Sequence, residues 1–329
     1  MVAPMKQRPL GRSGVQVSEI GLGLWPAGGS IQLGGVPTGY GQVSESEAVR
    51  AIRRAVELGV TLFDVSDSYG LGRAERLLGK AIRVDRPPVV VATKAGWVPD
   101  GAERWMADLS REHLLASAER SRRRLGVDVL DVLQLHAIPD EAQTDEAFDA
   151  LDELKTRQVI RLAGASVGAD LDAGRRLLRT RRLDVLQVHY NLLSQGAAEL
   201  FDEARAQGVG VIASIPLAYG FLSGRYTRTT TFARDDWRSR LTPDEIAARV
   251  RRVQEYRFLA EPGRRSLAHA ALQFVLSHPS VSTTIPGFRN AEQVEDSVHS
   301  LEAPFLSDIE IARAREVFRS RPVGTPAER

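Results

Sequence analysis

Residues 61–94, TLFDVSDSYGLGRAERLLGKAIRVDRPPVVVATK, hold two short apolar runs separated by a longer helical pattern. The first run is Thr61–Ser66 and the second is Val89–Lys94. The second is apolar nearly throughout rather than at alternate positions, the pattern of a parallel strand covered on both faces. Working outward, the same rhythm recurs at Ile20–Trp25, then at Val129–His136, Arg161–Ser166, Val185–Tyr190, Val209–Ser214 and Val281–Pro286. Eight such runs, each with room for a helix after it, predict an α/β protein built as a closed (β/α)8 TIM barrel rather than an open sheet. The length suits one such barrel, so residues 1–329 are read as a single domain.

Helix signals agree with that reading. Ser44 and Glu47 form a capping-box pattern ahead of the stripe Val49, Ile52, Ala55 and Val56, and Gly59 supplies the stop. Ser110 caps a segment that ends at Gly126, while Asn290 with Gln293 and Ser307 with Glu310 open helices near the C-terminus. Three stretches break the rhythm. Residues 5–19 read as an N-terminal β-hairpin turning at Gly11–Gly14, placed to cover the N-terminal mouth of the barrel. Gly96–Asp108 follows the third strand and carries Trp97 and Trp105; Pro216–Pro262 follows the seventh and is far longer than a usual βα connection. Loops after strands sit on the catalytic face of such a barrel, so these two are the expected walls of a substrate pocket.

Composition excludes several functions. There is no cysteine, which rules out disulfides, thiolate metal sites and cysteine nucleophiles. Six scattered histidines show no metal-ligand spacing, so no metal is expected. The formal charge is only +2, and stretches such as Arg120–Arg124 and Arg175–Arg182 read as solvated helix faces rather than a nucleic-acid surface. No signal-peptide core or membrane-length apolar run is present, and the expectation is a cytoplasmic protein with no membrane partner. Its cations are almost all arginine. Lys6, Lys80, Lys94 and Lys155 are the four lysines, so a lysine closing an apolar strand invites a chemical explanation.

Four polar residues stand at or just beyond successive strand ends: Asp64, Tyr69, Lys94 and His136. Strand ends converge in a parallel barrel, so these positions can meet. A buried lysine needs a partner, and Asp64 is the obvious one. The chemistry that fits is proton transfer from Tyr69. A free phenol titrates near pH 10, and a neighbouring ammonium is expected to lower that value toward a useful range. Asp64 would hold Lys94, and His136 would orient a carbonyl oxygen. Trp25 and Trp97 would line the substrate pocket beside Tyr69 and His136, with Tyr226 or Trp237 added from the long loop.

The sequence here resembles the aldo-keto reductase family. FDVSDSYG with GRAERLLGKAI, VVVATKAG, VLQLH, LQVHYNLL, PLAYGFLSGRY and TIPGFRNAEQVED are similar to that family's successive signatures, from about Pro9 to the last helix. The resemblance implies a (β/α)8 barrel and hydride transfer from NADPH to an aldehyde or ketone, such as a keto-sugar or secondary-metabolite carbonyl, with Asp64, Tyr69, Lys94 and His136 as the catalytic tetrad. No GxGxxG fingerprint is present, because Pro26 stands where the third glycine belongs in GLGLWPAGG. The phosphate site is instead expected at IPGFRNAEQ, with Gly287 allowing close approach, Asn290 opening a helix and Arg289 recognising a 2′-phosphate. By the resemblance, Ser166 and Gln187 would hold the nicotinamide carboxamide, with Asp64 and Trp25 beside the ring. Pro216, Leu217, Gly220, Leu222 and Arg225 would cross the pyrophosphate, and Gln293 would face the adenine.

Three positions depart from that pattern. Val167 replaces an asparagine beside Ser166, Ser214 replaces the aromatic residue under the nicotinamide, and Ser297 replaces an asparagine near the adenine. Two other readings compete with the reductase: a cofactor-binding sensor or subunit with little turnover, and non-redox acid–base chemistry in the same site.

Overall fold

The computed structural model describes residues 5–320 apart from Val84, Arg86 and Ala102. Eight parallel strands follow one another around the sheet in chain order: β1 (Leu22–Gly23), β2 (Leu62–Asp64), β3 (Val90–Ala95), β4 (Leu130–Leu135), β5 (Ile160–Gly168), β6 (Val185–His189), β7 (Gly210–Ser214) and β8 (Val281–Ile285). Parallel bridges Ile20–Thr284 and Gly23–Gly287 join the first strand region to the last. The Gly21 amide donates to Thr284 O at 2.8 Å and the Gly23 amide to Pro286 O at 3.0 Å, so the sheet closes as a (β/α)8 barrel.

Outside the sheet lie α1 (Glu45–Glu57), α2 (Arg73–Ile82), α3 (Arg111–Leu125), α4 (Glu141–Thr156), α5 (Leu171–Arg179) and α6 (Ala198–Ala206). After β7 come α7 (Pro243–Gln254) and α8 (Leu267–Leu276), and after β8 come α9 (Ala291–His299) and α10 (Asp308–Arg319). Ser44, Ser110, Asn290 and Ser307 all cap their helices through the amide three residues on. At Ser307 the box is reciprocal, with Glu310 accepting from the Ser307 amide at 2.8 Å. At Ser44 it is not: Glu47 accepts from Arg50 instead, since a charged partner one turn on outcompetes an exposed amide.

The N-terminal hairpin forms as expected, Gln7–Pro9 pairing antiparallel with Gln16–Ser18. Leu10, Val15 and Val17 pack into one cluster with Leu62, Val90, Val132, Leu162, Val185, Ile212 and Ile285, an interior layer drawn from seven strands. The hairpin therefore plugs the barrel. Gly11 lies so close to Gly208 O, with φ at 61°, that any side chain there would collide with backbone. A much larger apolar cluster fills the space between sheet and helices.

Both expected insertions are present. Gly96–Asp108 contains a ribbon pairing Trp97–Asp100 with Arg104–Ala107, and the segment after β7 holds α7 and several 3-10 turns. A third wall was not anticipated. Between β1 and α1 the chain forms a small ribbon, Gln32–Leu33 against Val36–Pro37, whose tip at Gly34 rests on Glu103 O of the first ribbon.

Candidate active site

Asp64 closes β2, Lys94 lies near the end of β3, and His136 follows β4 directly, its amide donating to Ala95 O at 2.8 Å. Tyr69 comes from the turn between β2 and α2. These side chains converge. Lys94 Nζ donates to Asp64 Oδ1 at 2.6 Å, to Val65 O at 3.1 Å and to Tyr69 Oη at 3.2 Å. Its three protons thus have three acceptors, in a residue only 1% exposed. The second carboxylate oxygen of Asp64 accepts from Gln187 Nε2 at 2.9 Å and from Gln134 Nε2 at 3.3 Å. The Tyr69 ring meets His136 edge-on at 5.7 Å and stacks on Trp25 at 6.2 Å.

The electrostatics differ from expectation at the phenol. Burial pushes Tyr69 up, the Lys94 ammonium pulls it down, and the nearby Asp64 charge pushes it up again; the net shift is upward. The expectation of a phenol brought below its usual range is therefore wrong, because desolvation of phenolate outweighs one ammonium. Burial alone would lower Lys94, but the Asp64 carboxylate and the phenol raise it, so it stays charged. Burial first, and the Lys94 charge second, hold His136 well below the ordinary imidazole value, so it is neutral. Its Nδ1 lies 3.0 Å from Ser66 Oγ and 3.4 Å from Ser68 Oγ. Sequence reasoning missed these serines and Gln134: a small or polar residue within an apolar run carries no sign of what it will meet.

Above these residues opens a cleft of about 930 Å³. Asp64, Tyr69 and His136 line it, together with Trp25, Trp97, Ser166, Gln187, Ser214, Pro216, Leu217, Gly220, Arg225, Gly287, Arg289 and Gln293. Lys94 sits beneath the floor. Leu222 does not reach the cleft; it is fully buried in the core behind the wall. Tyr226 and Trp237 reach it from the long loop, and Tyr40, His189 and Tyr219, which the sequence did not flag, complete the wall. A register shift between Ser166 and Gly168 leaves Ser166 facing the cleft and turns Val167 into the core, 3% exposed.

The segment leaving β7 is strained, with positive φ at Ile215 (55°), Ala218 (45°) and Tyr219 (58°). A buried cation fastens it. Arg238 donates to both Asp236 oxygens, to Tyr219 O at 2.9 Å and to Tyr226 Oη at 2.7 Å, with its guanidinium 4.4 Å from the Phe232 ring centre. Among the described residues no helix is long and apolar enough to cross a membrane.

A closed barrel with a lysine shared between an aspartate and a tyrosine at its C-terminal mouth matches the model of the "Aldo/keto reductase family" over residues 19–319. The chain belongs to the aldo/keto reductase family. It is 29% identical to the L-glyceraldehyde 3-phosphate reductase of Escherichia coli K12, across 94% of this chain and 91% of that one. It is also 27% identical to a probable voltage-gated potassium channel subunit beta of Oryza sativa subsp. japonica, across 99% and 100%. The holo form of an aldo-keto reductase from Bacillus halodurans superposes with a TM-score of 0.78 at 27% identity, covering 98% of this chain and 99% of that one. This aldo/keto reductase is thus an oxidoreductase by family, whose members use nicotinamide cofactors.

Its residues fit such a cofactor. Gln187, whose Nε2 donates to Asp64, lines the cleft together with Ser166, its pair on the neighbouring strand. Ser214 Oγ is buried with no protein partner, a polar atom at the cleft wall that a ligand would satisfy. At the far end, Asn290 caps α9, Arg289 donates to Gln42 O at 3.3 Å, and Ser297 donates to Gln293 O at 2.9 Å.

Proposed function

We propose that this protein reduces an aldehyde or ketone with NADPH, Tyr69 giving the proton. The observation that carries the reading is the Lys94 ammonium held between Asp64 Oδ1 and Tyr69 Oη under the floor of the cleft. Tyr69 Oη accepts from Lys94, so its own O–H is left to donate upward to a carbonyl oxygen. As that proton leaves, the phenolate forms beside a cation already in place, which lowers the barrier without rearrangement. Neutral His136 adds a second hydrogen bond to the same oxygen and fixes which face of the carbonyl is presented. Ser166 and the Gln187 oxygen hold the carboxamide of the nicotinamide, which when bound supplies the hydride. Arg289, exposed beside the start of α9, favours the 2′-phosphate of NADPH over NADH.

The test is Tyr69→Phe. Turnover should fall about 10²–10⁴-fold, the usual contribution of a positioned general acid, with NADPH affinity kept. Unchanged turnover removes Tyr69 from the role. A second reading rests on the relatives described as potassium channel β subunits: a cofactor-binding subunit with little catalysis. Steady-state assays with a carbonyl panel separate the two, since a subunit of that kind binds NADPH without consuming it.

A further inference from the structure

The chain has four tryptophans, Trp25, Trp97, Trp105 and Trp237, and all four line this one cleft. Two of them stand beside the reacting end. Trp25 stacks on Tyr69, and Trp97 is tied to the residue that would orient the carbonyl, its Nε1 donating to His136 O at 3.0 Å. Trp25 Nε1 donates to Thr38 O at 3.0 Å. The indole N–H groups of Trp25 and Trp97 are therefore satisfied by backbone, and these two rings offer faces and edges rather than donors.

The ribbon after β3 pairs Trp97 with Ala107 and Pro99 with Trp105, which puts Trp97 and Trp105 diagonally on the same side. The facing ribbon between β1 and α1 contributes Leu33, Val36 and Pro37. Contact of its Gly34 tip with Glu103 O joins the two ribbons into a continuous apolar wall. Two polar side chains on that wall are already engaged, the Thr38 hydroxyl donating to Ile31 O at 3.3 Å and Arg104 to Asp100 at 3.2 Å, while Glu103 stands exposed at the ribbon's turn. A polyol buried here would leave hydroxyls without partners, whereas a flat ring would cover indole faces.

We infer that the substrate is a carbonyl borne on a flat apolar ring system, an aryl or fused-ring aldehyde or ketone, and not a sugar. This rests on the reductase reading above. The reaction breaks the C=O π bond, forms C–H with hydride from NADPH, which becomes NADP+, and forms O–H with the Tyr69 proton.

The experiment measures kcat/KM with NADPH for benzaldehyde and 2-naphthaldehyde against DL-glyceraldehyde and methylglyoxal, in the parent, Trp105→Ala and Trp105→Phe. Trp105 is partly exposed on a ribbon, so its replacement leaves the barrel intact. The aryl aldehydes should exceed the small polar ones by at least about tenfold, with 2-naphthaldehyde the better of the two. Trp105→Ala should lower kcat/KM for 2-naphthaldehyde about tenfold through KM and leave glyceraldehyde unchanged, while Trp105→Phe keeps most of the activity. Glyceraldehyde or methylglyoxal reduced as well as the aryl pair, or a Trp105→Ala loss equal for all substrates, overturns the substrate class and leaves the reductase standing. No NADPH oxidation with any of the four overturns the reductase reading, and the substrate class falls with it.

Discussion

Lys94 meets three acceptors at once, so its position is set before any ligand arrives. Burial and that ammonium act on Tyr69 in opposite directions, and burial prevails. A phenol whose value is raised keeps its proton to higher pH, so the reductive kcat should stay flat through neutrality and fall only on an alkaline limb. His136, shifted downward, becomes a cation only in acid. A pH–rate profile checks both signs, and a single acidic optimum would contradict them. Ser66 adds a second expectation. If its hydroxyl donates to His136 Nδ1, the imidazole proton sits on Nε2, where it can bond a carbonyl oxygen. Ser66→Ala should lower kcat about tenfold with little change in KM, and the ¹⁵N spectrum of His136 should shift toward a mixture of tautomers. An unchanged spectrum would remove Ser66 from that role. Asp64, Lys94 and His136 were legible because a charged or polar residue at the end of an apolar strand is anomalous, and Tyr69, in the turn beyond β2, was singled out only together with them. Ser66 was not, because a serine in such a run is indistinguishable from small filler until its neighbour is known.

At the scale of elements, the long segment after β7 was legible by its length alone. Its fastening was not, since Arg238 is one arginine among many until it is seen buried against Asp236, Tyr219 O and Tyr226. Removing that cation leaves the Asp236 carboxylate buried and unpaired, a loss of about 3–5 kcal/mol when the element cannot adjust. Arg238→Met should therefore loosen residues 216–240, weaken NADPH binding by about tenfold or more in equilibrium titration, and speed proteolysis there. Retained affinity would show that the segment holds its shape without this residue. The ribbon between β1 and α1 escaped sequence reading for a different reason. Its strands are two residues each, and the surrounding glycines read as plain loop.

For the whole molecule, the barrel is plugged at the N-terminal mouth by the hairpin and open at the other to the cleft. Stability and chemistry are thus separated by the length of the strands. Gly11→Ala, which places a side chain against Gly208 O at positive φ, should cost about 1–3 kcal/mol. For a chain of this size that lowers the melting temperature by about 1–2 °C per kcal/mol, with kcat of the folded protein unchanged. Calorimetry beside a turnover assay checks the pair, and a loss of kcat at constant fold would couple the two ends.

The sequence by itself determined the barrel, its plug and its two largest insertions, because each is a local pattern: an apolar run, a cap, a length; it also marked Asp64, Tyr69, Lys94 and His136 as positions that strand ends would bring together. Only the tertiary structure decided the sign of the Tyr69 shift, the burial of Leu222 and Val167 away from the cleft, and the gathering of every tryptophan around one cleft. Those depend on desolvation and on contacts between residues far apart in the chain, which no window of sequence contains.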